Sequence, residues 1–97
     1  MWLDDFRPMP KGFDIWCKDS FSAIHNIING KITYISFDHD LGPEPSNTGY
    51  KVASYIEYLA SLGALNRLEW DIHSANPVGR ERIEMAMRSA ERYWDRR

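Results

Sequence analysis

One cysteine, Cys17, is all the chain contains, so no intramolecular disulfide staples it and a reducing compartment suits it. Long apolar runs are missing too. Nothing approaches the ~20 residues of a membrane-spanning helix, and no signal-peptide hydrophobic segment follows Met1. The amino end runs straight into residues that carry chemistry, which gives the expectation of a cytoplasmic protein from which nothing is processed off. Excess positive charge is the third absence: 12 Lys and Arg face 14 Asp and Glu, a formal charge of −2. Bulk attraction to duplex nucleic acid is thereby excluded as the basis of function, although a local phosphate site is not. Repeats and low-complexity tracts are also lacking, which excludes a solenoid. Oligomeric state is not legible.

Aromatic residues are plentiful: four Trp, five Tyr and four Phe can fill the one modest core that 97 residues allow. Residues 1–97 therefore read as a single domain. The organising stretch is KITYISFDHDLG, which begins at Lys31. Its run from Ile32 to Phe37 is rich in β-branched and aromatic residues and predicts a buried strand. At Asp38 the apolar run stops, and Asp38 and Asp40 flank His39. A lone Asp there would read as a turn cap. Two carboxylates around an imidazole, just past a buried strand, sit where open α/β sheets hold ligands.

In chain order, residues 1–3 form a short strand ahead of Asp4 and Asp5. Pro8, Pro10 and Gly12 exclude a helix between residues 6 and 12. Residues 13–17 alternate as an edge strand of open direction. Asp19 or Ser20 caps a helix with Phe21, Ile24, Ile27 and Ile28 inward, stopped by Gly30. After the central strand, residues 42–49 read as a polar, mobile loop able to cover a site. A second helix starts near Tyr50, turns Val52, Ala53, Ile56, Leu59 and Ala60 inward, and ends at Gly63. Residues 68–72 alternate as the next strand, and residues 76–79 read as a turn. Residues 80–93 form the last helix, with Ile83, Ala86, Met87, Ala90 and Trp94 inward and a Glu84–Arg88 pair outside. Arg96 and Arg97 read as a solvated tail favourable to its dipole. The order β-β-α-β-α-β-α predicts a small α/β fold of three or nearly three layers with a mostly parallel sheet and flanking helices.

Three polar clusters each follow a strand: Asp4 and Asp5; Asp38, His39 and Asp40; His73, Ser74 and Asn76. Asp4, Asp5 and Asp38 are hard oxygen ligands of the kind that Mg²⁺ or Mn²⁺ takes alongside a substrate phosphate. An imidazole can give or take a proton near neutral pH, so His39 and His73 are the acid and base candidates, with Asp40 orienting His39 or a metal-bound water. Which histidine does which is left open. Gly79 and Arg80, at the start of the last helix, offer amides and a guanidinium to a phosphate. Arg7 is a second cation, and Ser74 and Asn76 donate further hydrogen bonds. The set points to phosphoryl or phosphodiester chemistry.

The blocks Leu3-Asp4-Asp5-x-Arg7-x-x-Pro10, Ser36-Phe37-Asp38-His39-Asp40-Leu41-Gly42 and His73-Ser74-x-Asn76-Pro77-x-Gly79-Arg80, in that order, resemble the cyclic-phosphate-processing receiver-like domains. These are a divergent branch of the receiver superfamily, found in phages and bacteria. The resemblance implies a small flavodoxin-like fold lacking the receivers' fifth strand. It also implies a metal-dependent phosphodiesterase-type site for cyclic phosphates or cyclic nucleotides, working in the host cytoplasm if the protein is phage-encoded. Two alternatives stay open: a non-catalytic protein that sequesters a cyclic nucleotide, and a divergent phosphoacceptor receiver with Asp38 as the acceptor. A haloacid-dehalogenase-like phosphatase would need a circular permutation to bring Asp4 and Asp5 after Arg80.

Overall fold

A computed structural model describes residues 1–30 and 32–96; Lys31 and Arg97, named above, lie outside the described residues. The elements are β1 (Trp2–Leu3), β2 (Trp16–Cys17), α1 (Ser20–Ile28), β3 (Tyr34–Phe37), α2 (Gly49–Ser61), β4 (Glu69–Ile72) and α3 (Pro77–Asp95). The strands form one parallel sheet in the order β2-β1-β3-β4. Among the described residues no strand follows α3, so the receiver-like sheet stops at four.

Side chains alternate across a strand, and burial follows that alternation. Leu3, Ile35 and Phe37 are fully buried on one face, against the helices. The steps from β2 to β3 and from β3 to β4 run in the same direction along the sheet. Right-handed crossovers therefore set α1 and α2 on the same face, and α2 packs against both α1 and α3. The helices make one layer, not the two flanking layers expected. The reason is the connection from β1 to β2: its prolines forbid a helix, so a loop covers the second face. There Phe13 lies against Trp2 at 5.3 Å and against Tyr34 at 5.7 Å between ring centroids.

Other expectations shift in detail. Residues 13–17 yield only Trp16–Cys17 as strand; it is an edge and runs parallel to β1. In α1 the buried stripe is Ser20, Ala23 and Ile27. Phe21 and Ile28, expected inward, are 82 % and 56 % exposed, because the small residues of the stripe decide which side faces the sheet. The turn expected at residues 76–79 is the opening of α3: the Asn76 side chain caps Gly79 N, and Pro77 fits the first helical position, where its missing N–H costs nothing. Loop 42–48 is pinned by Asn47, which donates to Leu41 O at 2.8 Å and accepts from Ser20 N at 2.8 Å. The inward faces of α2 and α3 are as the periodicity predicts, with Val52, Ala53, Ile56 and Ala60 buried in one and Ile83, Ala86, Met87, Ala90 and Trp94 in the other.

Candidate active site

Strand register builds the site. Leu3 pairs with Phe37 and Phe37 with Ile72, so the next residue of each strand, Asp4, Asp38 and His73, arrives at the same level of the sheet edge. Asp38 N donates to Leu3 O and His73 N to Phe37 O, both at 2.9 Å, which carries the ladder one step past the strands. Alternation puts these three side chains on the loop-covered face with Trp2 and Ser36. One potential ligand atom from each lies within 4.8 Å of the others.

Asp4 is fully buried, and each of its carboxylate oxygens has a partner. Its Oδ1 accepts from Phe6 N at 2.8 Å and Arg7 N at 2.7 Å, and its Oδ2 pairs with His73 Nε2 at 2.9 Å. Burial works against the charged form, but the two amides and His73 outweigh it, and the carboxyl is held below its ordinary pKa. His73 is fixed on three sides: Nε2 on Asp4, Nδ1 on Ser36 Oγ at 2.8 Å, and one ring face stacked on Trp2 at 3.8 Å. The indoles close the loop over this cluster, Trp2 Nε1 donating to Arg7 O at 2.9 Å and Trp16 Nε1 to Asp4 O at 2.7 Å. Arg7 donates to His73 O at 3.1 Å and lies 3.5 Å from Asp4 Oδ2. Asp38 is looser: Oδ1 accepts from His39 N at 2.8 Å, while Oδ2 has no hydrogen-bond partner among the described residues.

His39, one step further, turns to the helix side of the edge. Its Nδ1 lies 3.0 Å from Asp40 Oδ1, and its Nε2 has no partner among the described residues. Asn76 Nδ2 donates to Asp40 Oδ2 at 3.3 Å. The bond to His39, followed by the one to Asn76, lowers the Asp40 pKa. His39 lies close against the start of α3, where a Cβ on Gly79 would fall 2.3 Å from His39 Cγ. At the start of α2 a Cβ on Gly49 would fall 1.9 Å from Asp38 O. Both glycines are there because two helix ends crowd the same strand end.

The residues expected to cradle phosphate are mostly occupied with one another. Gly79 N donates to Asn76 Oδ1 at 3.0 Å, and Ser74 Oγ accepts from Asn76 N at 3.1 Å. Arg80 donates to Ile72 O at 2.9 Å and Ser74 O at 3.1 Å, bracing the β4–α3 connection, while Glu84 pairs with Arg88 at 3.8 Å. Asp5 is exposed and stands outside the acidic cluster; His73 takes the third place in it. Ser36 and Trp2, which hold His73, were not among the expected site residues. A hydroxyl inside an apolar strand was the signal for Ser36, since a buried polar group needs a partner.

Among the described residues no helix is long and apolar enough to cross a membrane. No curated protein and no solved structure matches the chain. Residues 1–89, which include the strand ends carrying the acids and histidines described above, match the model of the cyclic-phosphate processing receiver domain; the chain belongs to that family.

Proposed function

We propose that the protein hydrolyses one phosphodiester bond of a small cyclic phosphate or cyclic nucleotide with the help of Mg²⁺ or Mn²⁺. The observation that carries this is the convergence of Asp4, Asp38 and His73 at one sheet edge. The residues fit a divalent cation: two carboxylates this close repel unless positive charge joins them, and Asp38 Oδ2 is unspent. Asp4 and Asp38 would hold the ion, and the chemistry it supplies is charge withdrawal from the phosphoryl group.

His39 is the proton acceptor. With Nδ1 engaged by Asp40, Nε2 is the accepting nitrogen of the neutral ring. Water attacks phosphorus, one P–O bond forms and the ring P–O bond breaks. The water's proton passes to Nε2, the departing oxygen takes a proton from solvent, and an open phosphomonoester leaves. Arg7, anchored at His73 O, offers its remaining N–H groups to a non-bridging oxygen. His73, with both ring nitrogens engaged inside the protein, orients Asp4.

Incubation with 2′,3′- and 3′,5′-cyclic nucleotides and cyclic oligonucleotides, with and without Mn²⁺, tests this. Metal-dependent linear product, lost in Asp38→Asn and His39→Ala, is expected. Mn²⁺ should also raise the melting temperature of the wild type and not of Asp38→Asn. Stoichiometric binding without product would make the protein a sequestering one, and an aspartyl phosphate formed on Asp38 would make it a receiver.

A further inference from the structure

A groove of about 670 Å³ opens from His39 on the helix side of the sheet edge, a size in the range of small-ligand sites. Tyr50, Tyr55 and Tyr58 of α2 line it, together with Lys51 and Arg82. No acidic residue lines it, although acidic side chains outnumber basic ones in the whole chain. The rings already form platforms. The Arg82 guanidinium lies 6.0 Å above the Tyr50 ring, and Tyr55 and Tyr58 meet edge to face at 6.1 Å. Tyr50 and Tyr58 are exposed without covering the core, so packing alone does not account for them.

Aromatic faces beside two cationic donors recognise a flat ring edged with hydrogen-bond acceptors. We infer that this groove binds the base of a nucleotide substrate, with Lys51 and Arg82 donating to its ring nitrogens and carbonyl oxygens, while its cyclic phosphate lies at the sheet edge. The inference rests on the phosphodiesterase reading and names the part of the substrate that reading leaves open. His39 belongs to both places: it lines the groove and stands next to Asp38. The substrate thus straddles the edge, and the site selects nucleotides over cyclic phosphates that lack a base.

The test compares adenosine, guanosine and uridine 2′,3′-cyclic phosphates with the base-free methyl ribofuranoside 2′,3′-cyclic phosphate. Calorimetry gives affinity, NMR follows the tyrosine ring signals, and turnover is measured under Mn²⁺. At least one base-bearing probe should bind about tenfold tighter than the base-free ester and shift those ring signals, and Tyr58→Ala and Arg82→Ala should each remove about that factor. Both variants alter exposed side chains, and melting curves check that they remain folded. Equal turnover of the base-free ester with unmoved tyrosine signals overturns the inference and leaves the phosphodiesterase reading standing. Base-dependent binding that shifts the tyrosines without any turnover supports the inference while that reading falls. If no base-bearing probe moves the rings, the inference is overturned.

Discussion

His73 spends both ring nitrogens inside the protein, on Ser36 and Asp4, and lays one ring face on Trp2, whereas His39 spends one nitrogen on Asp40 and keeps Nε2 free of protein partners among the described residues. The two residues follow the ends of neighbouring strands, yet alternation sends one to the loop-covered face and the other to the helices. Position at a sheet edge therefore does not assign a role. What each ring has left to offer separates them: His73 holds Asp4 in place, and in the proposed reaction His39 exchanges a proton with the attacking water.

The largest expected effect separates them by activity. His39→Ala should lower turnover of a cleaved cyclic nucleotide about 10²–10⁴-fold, the usual worth of a positioned acid–base group, with little change in melting temperature. Full activity in that variant would break the comparison. His73→Ala should act mainly on stability. It strips Asp4, a fully buried carboxylate, of one of its partners, at a cost of about 2–4 kcal/mol in denaturant unfolding. An unfolding curve as stable as wild type would show that Asp4 does not depend on His73. Gly79→Ala comes next. Its new methyl group meets the His39 ring, and an overpacking cost of about 1–3 kcal/mol is expected together with loss of turnover as the ring is displaced. Turnover unchanged in that variant would mean that His39 does not need the place it has. The smallest effect is that of Ser36→Ala, which removes the Nδ1 partner of His73 for about 1 kcal/mol, read by the same denaturant titration. A loss as large as that of His73→Ala would put the weight of the network on Ser36 instead.

Much of the fold was legible because the helices and strands write their periods into the sequence. Val52, Ala53, Ile56 and Ala60, and Ile83, Met87, Ala90 and Trp94, are spaced for one buried helix face and occupy it. The inward side of α1 was legible only in part: Ile27 is buried and Ile24 packs against the core, but Phe21 and Ile28 lie outside because the close approach allowed by Ser20 and Ala23 sets the stripe. The start of α3 was misread as a turn, because Asn76 and Pro77 serve equally in a turn and in a helix cap until the side chain is seen to bond Gly79 N.

For the site, the sequence by itself determined that acids and histidines would follow three strands, and the order of the elements fixed which strands they were. It did not decide between Asp4 and Asp5, which are chain neighbours, one buried and the other exposed. A shift of one residue in strand phase exchanges them, and a strand as short as Trp2–Leu3 carries too little alternation to set that phase. Only the tertiary structure did so, through the pairing of Leu3 with Phe37 and through the indoles of Trp2 and Trp16 that draw residues 4–7 over the edge. The same holds for the groove beside His39. Its tyrosines lie on α2 and Arg82 on α3, and what brings them together is the packing of two helices whose first turns crowd against one strand end, a proximity that spacing along the chain does not encode.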